Sequence, residues 1–437
     1  MATAHLSLSG LRRSLSESVG GMPRAFWWLW TSTLVNRLGA FVSTFLALYL
    51  TIERGYSASY AGLVGALYGA GGVVSSIGAG VLTDRLGRRP TLLLAQLSTA
   101  ASVAALSLMT HPVAIAAVAA LVGMSSNASR PAVQAMIADM VAPGDRVRAF
   151  ALNYWAINLG FAVSSTAAGL IAQYSYHLLF FTESAMVLAC AILVFVKIPE
   201  SRPDRSAVPL AGEKQDDRRV SMGTVLRDGR FMTVVALSLL VATLIQQAFV
   251  ALPVAMGRQG FSSSDFGMAI AVNGVLIVLI QLPVTRLIEK REPGGVLVVS
   301  SLLVGFGFGL NAFADTVPFF VFAVLVWTVG EVINTPTQMG LVVRLSPVHG
   351  RGRYQGMYSM SWAAANLSAP LAGGFVIDRF GADTLWTASA VIGVIAALGY
   401  ALLLRRLGNE ETAPVAAAPA APAEVTESAA PRTDSVA

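Results

Sequence analysis

Between residues 26 and 405 the chain is a succession of apolar runs separated by charges and turn residues. Each run approaches the roughly 20 residues that a helix needs to cross a bilayer. They fall near 26–50, 58–83, 90–110, 112–140, 147–173, 177–197, 230–255, 263–287, 294–313, 316–345, 352–377 and 382–405. In hydrocarbon every backbone N–H and C=O must be satisfied, and runs of this length do so as helices. Pro90 and Pro293–Gly294 stand at expected helix starts, where a missing N–H costs little. Composition agrees. Of 437 residues, 55% are hydrophobic and 12% charged, against about 25% charged in ordinary soluble domains. The expected fold is an all-α polytopic membrane protein with twelve transmembrane helices. One cysteine, Cys190, excludes a disulfide scaffold. With His5, His111, His177 and His349 as the only imidazoles, neither a metal site nor a cofactor is expected.

The net charge of +6 matters through its placement. Of 30 Lys and Arg, Arg54, Arg258 and Arg379 fall on one side, and Arg37 and Arg130 fall inside spans. All others lie in the terminal tails or in the loops that share their side. By the positive-inside rule both termini are cytoplasmic, and the chain is expected in the plasma membrane. So placed, the basic residues face lipid headgroups, and no nucleic-acid partner is expected. Residues 1–25 are polar and lack a signal peptide's apolar core and cleavage site. The Ala/Pro-rich segment 406–437 reads as a disordered cytoplasmic tail.

The longest polar break, 198–229, is read as a cytoplasmic linker between two six-span halves, 26–197 and 230–405. A shift of 205 residues brings Pro131 onto Pro336, Arg146 onto Arg351, Arg148 onto Arg353, and Gly169 onto Gly374. It also brings Asp84 onto Glu289 and Arg85 onto Lys290. The halves are therefore expected to be pseudo-symmetric repeats of parallel topology. Transporters built from such repeats place their sites near the midplane, at the repeat interface.

The loop after span 2 reads Gly80-Val-Leu82-Thr-Asp84-Arg85-Leu-Gly87-Arg88-Arg89. Gly80 allows close helix approach and Gly87 a tight turn, while Arg88 and Arg89 can also serve simply as headgroup anchors. This stretch resembles the signature loop of the major facilitator superfamily, and the resemblance covers about residues 25–405. It implies the fold of that family, with this loop latching the cytoplasmic side in the outward-facing state. Asp84 and Arg88 would then be latch residues, with Asp139, at the cytoplasmic end of span 4, the expected partner of Arg88 between spans 2, 4 and 11. The second copy is degraded, with Thr285 and Glu292 in place of its glycines. Span 5 carries Asn158-x-Gly160 and then Ser164, Ser165 and Gly169. It resembles the glycine–proline signature of the drug–proton antiporters in that superfamily, with Ser164–Ser165 replacing Gly–Pro. Span 11 keeps Pro370, Gly373 and Gly374. Small residues at these positions also serve helix packing in lipid without any transport role.

Polar residues at membrane depth are costly and mark functional positions. Span 1 has Asn36 and Arg37, and span 4 has Asn127, Arg130 and Gln134 on one helix face. Span 7 has Gln246 and Gln247, and span 10 has Trp327, Glu331 and Asn334. The resemblance implies that these four spans line a central substrate cavity. Other readings stand beside that one. Arg37 or Arg130 can cap carbonyls freed near Pro131, Glu331 can pair with either arginine, and the glutamines can bind neighbouring helices. Glu331 is the first candidate for a proton-coupling carboxylate, with Asn334 as its hydrogen-bond partner. Glu183 is the second, and its shallower position favours hydration. No Gly-x-x-x-x-Gly-Lys pattern offers an ATP motor. The expectation is a monomeric secondary transporter, not an enzyme. It would work by alternating access and couple protons to the export of small amphipathic or drug-like molecules. The alternative is an importer or facilitator of a small, possibly anionic, metabolite.

Overall fold

The computed structural model describes residues 21–142, 145–201, 221–288, 291–347 and 351–411. The fold is built from twelve long helical segments among these. The first, α1, runs Arg24–Glu53 in pieces, Arg24–Leu38 and Val42–Leu48, and finishes in a π-turn, Tyr49–Glu53. Then come α2 (Ala58–Leu86), α3 (Arg88–Leu108), α4 (Pro112–Met140), α5 (Arg146–Tyr174) and α6 (Tyr176–Lys197). A short helix, Met222–Arg227, precedes α7, whose parts Gly229–Gln246 and Ala251–Arg258 flank a 3-10 turn, Gln247–Phe249. The rest are α8 (Ser263–Ile288), α9 (Pro293–Gly309), α10 (Val317–Leu345), α11 (Arg351–Phe380) and α12 (Ala382–Glu411). Eleven are long and apolar enough to cross a membrane. The other, α2, has 29 residues and packs between α4 and α11. At 1.5 Å per residue it is about 43 Å long, enough to pass the hydrocarbon core.

Local signals start these helices where the sequence places them. Ser57 accepts from Tyr60 N, Ser175 from Leu178 N and Asp228 from Phe231 N, each satisfying an orphan first-turn donor. Pro112 and Pro293 open α4 and α9. Pro131 and Pro336 lie inside α4 and α10, and both helices continue through them. The two-part forms of α1 and α7 are departures from the expected continuous spans, since apolarity runs unbroken through both breaks.

The repeat is visible in the packing. Within the first half α1 packs on α5 and α6, α2 on α4, and α3 on α4 and α6. Within the second half α7 packs on α11 and α12, α8 on α10, and α9 on α10 and α12. Each pairing recurs six helices later. The halves meet chiefly through α2 with α11 and α5 with α8, and this pair of seams repeats as well.

Those seams are built on glycine. A Cβ on Gly62 of α2 would strike the carbonyl oxygen of Pro370 on α11. One on Gly374 would strike the carbonyl of Ala58. In the other seam, Gly267 of α8 faces the Ser165 carbonyl, and Gly169 faces the Ser263 carbonyl and Ser264 Cα. Gly62 and Gly267, like Gly169 and Gly374, are 205 residues apart, and so are their partners Ser165 and Pro370. Backbones therefore touch backbones, an approach that small residues allow in lipid. Both contacts lie toward the face opposite the basic loops. Hydrogen bonds crossing between the halves sit at that end: Ala58 and Ser59 to Asp378, Ser59 to Gly374, Gln173 to Ser262, and Tyr176 to Ser263. The bundle is sealed at the opposite face.

Forcing a side chain into a seam should part the halves. Gly62→Val and Gly267→Val are expected to lower thermal stability and cut transport severely, as overpacking costs about 1–3 kcal/mol. Gly340→Ala and Gly356→Ala, with nothing within 4 Å of the added carbon, should leave both unchanged. Thermal denaturation in detergent and vesicle flux measure this.

Candidate functional site

The first half contributes cations. Arg37 lies in the last turn before the break in α1, and Gly160 of α5 lets that helix approach its Cβ. Its electrostatic neighbours are Arg130 of α4, Tyr68 of α2 and Glu183 of α6. Among the described residues, no carboxylate comes within 4.0 Å of Arg37 or Arg130. Asn36 is half-buried beside Arg37, and Arg130 and Gln134 are exposed. Asn127 is half-buried and bonds back to Gly123 O at 2.9 Å.

The second half contributes a carboxylate. Glu331 Oε2 accepts from Asn273 Nδ2 of α8 at 2.9 Å, and the same amide reaches Thr328 at 3.0 Å. Asn273 precedes Gly274, whose added Cβ would meet Ala162 of α5 at 3.0 Å. Glu331 thus stands beside the α5–α8 seam, with Tyr154 of α5 an electrostatic neighbour. Asn158 supports that stretch by donating to Tyr154 O at 3.0 Å. Asn273 is a site residue beyond those expected from the sequence, and its signal is an amide in the middle of the apolar run of span 8.

Two residues expected around Glu331 lie elsewhere. Trp327 is 2% exposed and stacks on Phe308 of α9 at 5.1 Å, while Asn334, fully buried, donates to Ser300 of α9 at 2.8 Å. On a helix of 3.6 residues per turn, Glu331 is about 40° round from Trp327 and about 60° from Asn334. That angle sends Glu331 toward α8 and the other two into the interface with α9. Asn334 is therefore not the partner of Glu331; Asn273 is. Gln247 is likewise buried and donates to Ala369 O of α11 at 3.3 Å, with its carbonyl against Gly373. Gln246 bonds Asn366 of α11.

Glu183 is not hydrated as expected. It is 5% exposed, and its Oε2 accepts from the N–H groups of Phe41 at 2.9 Å and Val42 at 2.7 Å. These donors are orphaned where α1 breaks. The carboxylate is a cap delivered from α6 to a helix start inside the bundle.

At the basic face, Gly87 has φ +111°, a conformation open to glycine, and this turns the chain from α2 into α3. Arg88 Nε reaches Asp139 Oδ2 at 3.0 Å, and Ser201 bonds the same oxygen at 3.3 Å. Glu200 accepts from the backbone N–H groups of Arg88 and Arg89. Arg89 also reaches Phe195 O, and Arg85 is exposed. The side chain of Asp84, and any that Gly80 could meet, lie outside what is described. The segment just after α6 thus closes over Arg88 and Asp139 through Glu200 and Ser201.

Two broken first helices, inward polar groups and a repeat seam are the build of a membrane transporter. The sequence profile of the Major Facilitator Superfamily matches residues 29–363 and again 249–436. The chain belongs to that superfamily: it is a multi-pass membrane transporter and not an enzyme. An uncharacterised MFS-type transporter of Bacillus subtilis, YqjV, is 26% identical over 382 residues, covering 86% of this chain and 92% of that protein. The multidrug resistance protein MdtH of Cronobacter sakazakii is 25% identical over 325 residues, 72% of this chain and 78% of MdtH. A crystal structure of a POT family transporter with 5-aminolevulinic acid superposes with a TM-score of 0.74 at 16% identity. It covers 89% of this chain and 98% of that one, a likeness of fold alone.

The Glu183 cap makes a prediction. Glu183→Ala leaves two buried N–H groups without an acceptor, at about 1–3 kcal/mol each. It should lower thermal stability and empty the folded fraction in detergent. Glu183→Gln keeps one acceptor oxygen and should retain most of the stability. Equal loss in both variants would show that the charge, not the cap, matters.

Proposed function

We propose that the protein couples proton entry to the export of small amphipathic molecules, with Glu331 as the coupling carboxylate. The observation that carries this is the position of Glu331: inside the bundle, bonded to an amide rather than an arginine, and beside a seam that must move when the halves rock. A carboxylate in low dielectric favours its neutral form, and access to water favours the charged one. Movement along α5–α8 changes that access, so proton occupancy and conformation are linked. The multidrug name of the MdtH relative supports the export reading. The distribution of basic residues supports an orientation with both termini in the cytoplasm of a plasma-membrane protein. In that orientation the seal described above is external and the state is inward-facing. One chain supplies both halves of the site, which supports a monomer as the working unit.

A second reading has its own observation. Arg37 and Arg130 neighbour each other with no carboxylate within 4.0 Å among the described residues, and Glu331 does not neutralise them. Two such cations suit an anionic metabolite.

Flux in reconstituted vesicles under an imposed pH gradient tests both. Glu331→Gln should abolish uphill transport while retaining downhill exchange. Uphill transport with unchanged proton dependence would make Glu331 structural. If the anionic reading holds instead, Arg37→Gln and Arg130→Gln should each raise the KM for anionic compounds at least tenfold, leaving neutral ones unaffected.

A further inference from the structure

At the sealed face the two seams are related by the repeat but differ in charge. Asp378, in the last turn of α11, reaches across to the start of α2. Its Oδ1 accepts from Ala58 N at 3.2 Å and its Oδ2 from Ser59 N at 2.6 Å. Arg258, at the end of α7, pairs with the same carboxylate and donates to Ile377 O at 3.1 Å. The repeat mates, 205 residues away, are Gln173 for Asp378, Ser263 for Ala58, and Glu53 for Arg258. There the contact is one neutral bond, Gln173 Nε2 to Ser262 at 3.3 Å, beside Tyr176 to Ser263 at 2.7 Å.

We propose that Asp378 and Arg258 form the latch that holds the opposite face shut, and that opening this face requires Asp378 to leave the start of α2. The first N–H groups of a helix have no partner within it, and the helix dipole favours an anion there. Here the anion comes from the other half of the molecule. Separating the halves leaves the N–H groups of Ala58 and Ser59 without their acceptor, and the bonds lost are charge-assisted, about twice as strong as neutral ones. The latch is also releasable. The Asp378 side chain is 18% exposed and that of Arg258 45% exposed, so both can take up water when the seam opens. A fully buried carboxylate such as Glu183 could not do so cheaply. The mate seam, held by neutral groups, yields first. The α2–α11 side therefore sets the threshold for opening, and the α5–α8 side adds little to it. None of this depends on which ion drives transport.

The test measures distance across the sealed face. Cysteines replace the exposed Thr110 and Thr316, one in each half, in a Cys190→Ser background, and are spin-labelled in lipid nanodiscs. The parent should give mainly the short distance of a closed face. Asp378→Asn is expected to raise the long-distance, open population about tenfold. Arg258→Gln should raise it less, because Asp378 keeps its two backbone donors. Gln173→Ala should leave the distribution within twofold of the parent. An unchanged distribution in Asp378→Asn overturns the proposal. So does an equal shift in Gln173→Ala, which would make the face a diffuse seal without a latch. Should Asp378→Asn fail to fold, Arg258→Gln carries the test, and no shift in it counts against the latch.

Discussion

Where α2 meets α11 and α5 meets α8, the helices lie closer than any side chain permits, and the rest of the molecule is arranged around that contact. Apolar burial gives helices little reason to associate in lipid, because lipid solvates apolar side chains equally well. Close approach of backbones supplies the attraction instead. It requires Gly62 against Pro370, Gly374 against Ala58, Gly267 against Ser165 and Gly169 against Ser263. These positions lie in the half of each helix nearer the face opposite the basic loops. Two rigid six-helix bodies zipped at one end can part only at the other.

The first helix of each half is broken, and the two breaks are stabilised differently. In α1 the freed N–H groups of Phe41 and Val42 are taken by the carboxylate of Glu183. In α7 the break near Gln247 is braced by amides, with Gln246 to Asn366 and Gln247 to Ala369 on α11. The second pieces of both helices then meet across the molecular axis, where Gly257 of α7 packs on Leu48 and Ile52 of α1. A break lets each first helix follow its own half below and touch its mate above. The cost is backbone donors inside a membrane protein, where each must find a partner. A carboxylate can satisfy two at once, which explains a buried acid with no arginine bonded to it.

Span positions were legible because apolar length and charge placement are properties of the chain itself. The expected span 112–140 is α4, Pro112–Met140, and 316–345 is α10, Val317–Leu345. The repeat was legible for the same reason, since identical residues recur at a fixed offset. Direction around a helix was less so. Trp327, Glu331 and Asn334 share a face by periodicity, yet about 60° separates the residue beside the seam from the one buried against α9. Depth alone predicts a hydrated Glu183, because nothing in its own helix announces the break in another that it caps. The glycines of the seams stood at the same 205-residue offset in plain view, but glycine in an apolar run signals nothing until its opposite helix is known.

Duplication explains the frame, and its departures point to where directional function can reside. Positions kept in both halves are architectural: Pro131 and Pro336, Gly62 and Gly267, Gly69 and Gly274, Gly169 and Gly374, and Ser57 and Ser262 at two helix starts. Positions that carry charge at the seams and between the halves are not kept. Glu331 corresponds to Ser126, Arg130 to Thr335, Arg37 to Ala242, Asp378 to Gln173, and Arg258 to Glu53. Two identical halves would give the two seams equal strength and leave no group in one half to sense the other. Placing two cations in the first half and an acid in the second gives the space between them a polarity along which a molecule can be oriented. Placing the ionic contact on one seam only makes the other the easier to open, and Glu331 sits beside that easier seam. A ligand shifts a conformational equilibrium only through a difference in how it binds the two states, and these few unmatched charges are where one half of the molecule differs from the other.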